Sequence, residues 1–288
     1  MKAYHDIVQK ILAEGFQKPS RTGIDCLTIA GALFEHDMAE GFPLLTTKKV
    51  PFRLVASELE FFIKGITDKE WLREQNNHIW DEWCSPDVIP YGIDEETKTK
   101  MAAQRELGPI YGWQWRNFGA DYTAYDAPAQ GEGTDQLRML TETLKEDPSS
   151  RRMIVSAWNP ADLSRMALPP CHFSFQVTVI NGALNLLWNQ RSVDVALGLP
   201  FNIASYGCLL HLLAKEGGFE EGKLIGFLGD THIYINHAQA IREQMERESR
   251  PLPKIKTENF TSVFDWRYAD TKIEGYDPHP AIKFDIAV

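Results

Sequence analysis

The sequence predicts an α+β fold, a mixed β-sheet core with packed helices. Two observations carry this. Strand-like and helix-like segments alternate without the regular βαβ rhythm of a doubly wound sheet. One strong hairpin signal, Asn181-Gly182, joins two runs of alternating apolar residues. Composition agrees, with 43% hydrophobic and 11% aromatic residues, and 288 residues suffice for one large domain or two small ones.

Taken in order, residues 4–14 carry Ile7, Val8, Ile11 and Leu12 at helical spacing. LTIAGALFEHDM (27–38) reads as β with a glycine break, followed by the turn-rich EGFPLLTTKKVP. A helix starts near Pro51, whose missing N–H is harmless in a first turn, and stops at Gly65. Asp68 to Trp83 is helical and then loop-like, with Trp71, Trp80 and Trp83 close together. The stretch 84–133 is the least regular. DQLRMLTETLKED (135–147) is a helix closed by Pro148, RMIVSAW (152–158) a strand, and NPADLSRMALPP a turn, short helix and turn.

CHFSFQVTVI places Cys171, Phe173, Phe175, Val177 and Val179 on one face, and ALNLLWNQRS returns as its partner. A two-residue turn pairs Ile180 with Ala183. Counting back along an unbulged ladder sets Cys171 opposite Ser192 and His172 opposite Arg191. Thiol, hydroxyl and guanidinium then share one end of the sheet. Next, IASYGCLLHLLAKEGG buries a stripe of Ile203, Tyr206, Leu210 and Leu213, ending at Gly217-Gly218. LIGFLGDTHIYIN leads into the helix HAQAIREQMERE (237–248). PKIKTENF, FDWRYAD and AIKFDIAV supply later strands or extended segments.

A net charge of −10 and a pI near 5.3 argue against a nucleic-acid coat, because phosphate backbones demand a basic surface. A mononucleotide needs only a few clustered arginines. The four cysteines Cys26, Cys84, Cys171 and Cys208 form no CxxC pair and have no close histidine cluster, so no metal site and no disulfide is expected. The N-terminus is amphipathic with acidic residues, unlike a signal peptide, and no apolar run approaches the roughly 18 residues of a membrane span. A cytoplasmic protein is expected.

Cys171 follows Pro169-Pro170, which restrict where its side chain points. It is a nucleophile if nearby positive charge, from Arg191 or His172, favours thiolate; otherwise it is a core residue, as Cys26, Cys84 and Cys208 are read. Arg151-Arg152 form either a phosphate grip or a solvated edge, and Arg21 in PSRTG sits in a turn suited to an anion. Asn202 either caps a helix or reads a base edge. His232 and Tyr234 alternate on one strand face. Glu58 and Glu60 lie in an apolar helix but cannot share a face, so one of them points inward.

Together these residues resemble the thymidylate synthase family over almost the whole length. The matching blocks are SRTG (20–23), GFPLLTTKK (41–49), the ELxFFIKG helix end (58–65), IWDEW (79–83) and LGPIYGWQWR (107–116). They continue through SSRRMIVSAWN (149–159), LPPCH (168–172), QRSVDVALGLPFNIASY (190–206), GDTHIYINH (229–237) and HPAIKFDIAV. The resemblance implies a single catalytic domain over 1–288 in a sheet-to-sheet homodimer. It implies a methyltransferase that converts deoxyuridylate (dUMP) to thymidylate with 5,10-methylenetetrahydrofolate, releasing dihydrofolate.

Carried over residue by residue, Cys171 would add to uracil C6, with Glu58 organising proton transfer and Tyr111 and Asn202 beside the pyrimidine. Arg21, Arg191 and Ser192 would hold the phosphate, joined by Arg151 and Arg152 from the other subunit. His232 and Tyr234 would bind the deoxyribose hydroxyl. The folate would lie against Ile79, Trp80, Leu168, Asp194, Leu197, Gly198 and Phe201, with Lys48 near its glutamate tail and Val288 closing over the site. Three departures stand out: Asn189 replaces a usual aromatic residue, Ala196 a common phenylalanine, and the 84–107 stretch is longer than in compact members.

Rival readings are a deoxyuridylate hydroxymethylase, a cysteine hydrolase and a non-enzymatic nucleotide- or RNA-binding protein. In the first, water replaces hydride; Asn202 favours uracil because an amide serves N3–H and O4 together. The hydrolase lacks a base, since His172 points to the other face of an ideal strand, and no oxyanion-type glycine motif follows Cys171. The acidic charge opposes RNA, and a binding module needs no positioned thiol.

Overall fold

The computed structural model describes residues 1–284. The chain runs α1 (Lys2–Glu14), β1 (Phe16–Lys18), β2 (Cys26–Asp37), α2 (Phe52–Ile63), α3 (Lys69–Glu74), α4 (Glu95–Ala103), α5 (Tyr111–Asn117) and α6 (Gln136–Glu146). It continues with β3 (Ile154–Ser156), β4 (His172–Ile180), β5 (Ala183–Asp194), α7 (Gly198–Gly217), β6 (Glu220–Tyr234), α8 (Ala238–Met245), β7 (Lys254–Thr257) and β8 (Thr271–Glu274). Six strands form one sheet in the order β1-β2-β6-β5-β4-β3. Only β5 and β6 run parallel, joined by the crossover helix α7, so the sheet is mixed and the fold α+β. β7 and β8 pair separately.

Local chemistry explains the boundaries. Asp135 caps α6 by accepting from the Arg138 N–H, and Gly218 ends α7 in the left-handed conformation at φ 73°. Asn181 (φ 52°) and Gly182 (φ 78°) make the tight turn between β4 and β5. The stripe read on α7 widens to burial nearly all round, because α7 lies between the sheet and α2. Trp188, fully buried on β5, fits only because its β6 neighbour is Gly226. A Cβ there would lie 2.4 Å from the indole ring.

Several expectations are corrected. The hairpin pairs Ile180 with Ala183 as read, but a bulge sets Phe173 and Ser174 against Asn189. His172 therefore pairs with Gln190, not Arg191, and the Arg191 N–H donates to the Cys171 carbonyl at 2.8 Å, so Ser192 is not opposite Cys171. The bulge also changes faces. His172 joins Phe175 on the helix-covered side, while Phe173 turns outward against Trp158. β3 is shorter than its apolar run. FDWRYAD forms a single helical turn at Tyr268–Asp270 instead of a strand, and residues 281–284 of AIKFDIAV are irregular, the rest lying outside the described residues. α4 and α5 arise within the stretch read as least regular.

Candidate active site

Cys171 sits half-buried just before β4, and its main chain is held from both sides. Its N–H donates to the Tyr111 hydroxyl at 2.8 Å. On the other side, Arg191 donates from Nε to the Pro170 carbonyl (2.9 Å) and from Nη2 to the Pro169 carbonyl (2.7 Å), with its guanidinium over Trp158. One side chain thus clamps the Pro-Pro pair that aims the cysteine. Burial pushes the thiol up from its ordinary range; the charges of Arg191 and then Arg21 pull it back. Cys26, Cys84 and Cys208 are buried, as core residues should be.

Behind the cysteine runs an aromatic column. Trp188 stacks on Tyr206 at 5.4 Å, and the Tyr206 hydroxyl meets His172 Nδ1 at 2.9 Å. His172 in turn stacks on Tyr111 (4.4 Å), and Tyr111 on Phe62 of α2 (4.8 Å). Burial lowers the His172 pKa to about 3, so it is a neutral structural ring and not a base.

Both Glu58 and Glu60 are enclosed, where the sequence placed only one of them inward, but in different surroundings. Glu60 is buried and satisfied by Lys64 (2.5 Å) and the Tyr268 N–H (2.7 Å). Among the described residues, Glu58 accepts only the Trp80 indole N–H, at 2.8 Å. Burial pushes its carboxyl up to about 7, against the opposing pull of that hydrogen bond. It remains half-open in spite of this enclosure, as a proton-exchanging group must. Asn202 lies inside α7, beyond its first residues Gly198–Phe201, so it does not cap the helix. Its Oδ1 accepts from Gln190 Nε2 at 3.0 Å, which fixes the amide's orientation.

The anion-binding candidates divide into two places. Arg191, Ser192 and Asp194 follow one another at the end of β5, with Asp194 Oδ1 accepting from the Ala196 and Leu197 N–H groups. Beside them His232 is buried, its Nδ1 2.9 Å from Asp230, and it meets Tyr234 edge to face at 5.3 Å. Arg21 is exposed in the turn before β2. Arg151 and Arg152 are also exposed but lie elsewhere. Ile154 pairs with Gln176, which puts them beside Thr178 and beyond, roughly 20 Å along β4 from Cys171. Within one chain they do not join the site.

Ile79, Leu168, Leu197 and Phe201 pack on the core yet stay partly uncovered, and Trp80 is nearly buried behind them. Gly198 opens α7. Lys48 is buried; its ammonium donates to the Ala196 carbonyl and lies over the Phe284 ring, and burial lowers its pKa to about 8. Val288 lies outside the described residues. Gln190 and Trp158 had no assigned role from sequence, where they were only neighbours of Arg191 and part of the Arg151-Arg152 strand, and Tyr206 was read only as part of the buried stripe of α7. Among the described residues no group of three or more His, Cys, Asp and Glu side chains converges as a metal site would need.

A clamped thiol, a carboxyl poised near neutrality and an oriented amide define an α+β enzyme centred on a cysteine. The sequence profile described as thymidylate synthase matches residues 2–288, and the chain belongs to that family. Membership makes it an enzyme of nucleotide biosynthesis of the methyltransferase kind, in a family that also includes hydroxymethylases. The family uses methylenetetrahydrofolate, and the partly uncovered Ile79, Leu168, Leu197 and Phe201 suit a flat, largely apolar ring system.

Proposed function

We propose that the chain methylates dUMP to thymidylate by covalent catalysis through Cys171. The observation that carries this choice is a thiol held by the Arg191 clamp on Pro169-Pro170 and by Tyr111, in a site whose carboxyl has a pKa of about 7 and whose His172 is neutral. The thiolate adds to C6 of uracil, which gives C5 carbanion character to take up the one-carbon unit; loss of the C5 proton and final expulsion of the thiolate from C6 restore the ring double bond. Burial alone would disfavour thiolate, so the two guanidiniums and an arriving nucleotide's orientation favour the attack. Glu58, near-balanced between its protonated and ionised forms at neutral pH, moves protons at the ring. Gln190 occupies one lone pair of Asn202 Oδ1. The second accepts uracil N3–H while the amide N–H2 donates to O4.

Arg21, Arg191 and Ser192 hold the phosphate, and His232 with Tyr234 the deoxyribose hydroxyl. When bound, methylenetetrahydrofolate supplies the one-carbon unit and the hydride and leaves as dihydrofolate. Ile79, Trp80, Leu168, Asp194, Leu197, Gly198 and Phe201 would hold it, with Lys48 behind them.

The active form in this reading is a homodimer, sheet against sheet, over a single catalytic domain of 1–288. Leu33, Ile154 and Phe227 stand exposed on the sheet face away from α7, an apolar surface suited to a second copy. That copy would lend the Arg151 and Arg152 that one chain keeps away from Cys171. Tritium release from C5 of labelled dUMP, measured together with dihydrofolate absorbance, tests the reaction. Both signals are expected, and both should vanish in Cys171→Ala. Tritium release with tetrahydrofolate alone would replace the proposal by hydroxymethylation, and full activity in Cys171→Ala would sink it.

A further inference from the structure

The stretch 84–106 has no part in the site described so far, yet it is firmly built in. It leaves the Trp80–Trp83 turn and ends where Glu106 bridges to Asp68. Helix α4 within it buries only Met101, so its own sequence gives it little hold. Two cations of α3 supply that hold. Lys69 is buried and donates to the carbonyls of Asp81 (3.0 Å), Trp83 (2.7 Å) and Met101 (2.8 Å). Arg73 donates to the Ala102 carbonyl and, from Nε, to Asp81 at 2.7 Å. Cations at the carbonyl end of α4 complement its dipole and occupy its last free acceptors.

The same anchor reaches the nucleotide side. Tyr91 of this stretch stacks on Trp83, ring centroids 6.1 Å apart and planes 15° from parallel. The Arg21 guanidinium lies over the Tyr91 ring at 4.9 Å. Among the described residues this guanidinium makes no ion pair and no hydrogen bond, so the ring is its one polar or aromatic partner. The turn that carries it leads into β2, whose Cys26 pairs with Tyr234, and its charge pulls down the Cys171 and Tyr234 pKa values that burial raises.

We propose that Tyr91 is a positioning residue: stacked on Trp83, it forms a platform that holds the Arg21 guanidinium in one orientation, at the end of β2 where Cys26 pairs with Tyr234, before an anionic nucleotide arrives. The inference rests on the reading of Arg21 as a phosphate ligand. Holding an exposed arginine ready removes part of the ordering cost of binding. A cation–aromatic contact at an exposed site corresponds to about a two- to fivefold change in affinity.

Calorimetric titration with dUMP tests this on the wild type, Tyr91→Ala, Tyr91→Phe, Arg21→Ala and the double variant. Tyr91→Ala should weaken binding about two- to fivefold and raise KM equally with kcat unchanged, whereas Tyr91→Phe keeps the ring and should match the wild type. In the Arg21→Ala background, Tyr91→Ala should add nothing. Unchanged affinity in Tyr91→Ala overturns the inference, as does an equal loss with and without Arg21. A wild type that binds no dUMP overturns the functional reading itself, and the inference with it.

Discussion

Replacing Glu58 by glutamine should remove turnover while making the protein more stable above neutral pH. Burial raises the Glu58 carboxyl from 4.5 to about 7. A carboxyl raised on folding favours the protonated folded chain, so its stabilising contribution is complete below the unfolded pKa and lost as pH rises through about 7. At 1.36 kcal/mol per unit the full loss is about 3 kcal/mol, of which about 2.5 falls between pH 5 and pH 8. Glutamine carries no charge to desolvate, and its oxygen can still accept the Trp80 indole N–H. Urea unfolding of both proteins at pH 5 and pH 8, at one protein concentration, isolates this difference because all other groups titrate alike. Wild type should lose about 2.5 kcal/mol relative to Glu58→Gln over that interval. Parallel stability profiles would refute the placement of a raised carboxyl at position 58.

Three further substitutions probe the supports of the site. Arg191→Lys keeps a charge near the thiol but loses the two-pronged hold on Pro169 and Pro170; kcat/KM should fall about ten- to a hundredfold in steady-state kinetics. Tyr206→Phe leaves His172 Nδ1 without its hydroxyl partner and should cost about 1–3 kcal/mol, read as a lower melting temperature. Gly226→Ala drives a methyl into the Trp188 ring and should cost about 1–3 kcal/mol in urea midpoint, with the aromatic near-ultraviolet signal altered.

The sequence made the long elements legible because their signals are local. The Asn181-Gly182 turn, the Pro51 start of α2, the Asp135 cap and the Gly218 stop each act within a few residues. What escaped it depends on distant partners. α4 shows no apolar stripe and is held by Lys69 and Arg73 of α3; only its Asp94 cap, accepting from the Thr97 N–H, left a local trace. The bulge at Phe173 leaves no sign in an alternating run, so the predicted partner of Cys171 was wrong by one residue. At the proposed site, Cys171, Glu58, Asn202 and His232 were singled out as candidates by residue type, but their bonding was not legible. Trp80 holding Glu58 and Gln190 holding Asn202 are contacts between separate elements, which periodicity cannot report. Lys48, a surface residue by type, turned out to be buried against Ala196.

That bulge also governs how the strand can vary over evolutionary time. From Phe175 toward the turn, odd-numbered positions face the interior; on the cysteine side, the even-numbered His172 does. Relatives should therefore show their restriction to apolar or ring side chains switching parity at Phe173. A lineage that lost this one residue would keep His172 across from Gln190 and Ser174 across from Asn189, both halves still in phase. Elsewhere in β4 an insertion or deletion of one residue would turn half the strand over. The hairpin thus carries a single tolerant joint, next to its least tolerant residue.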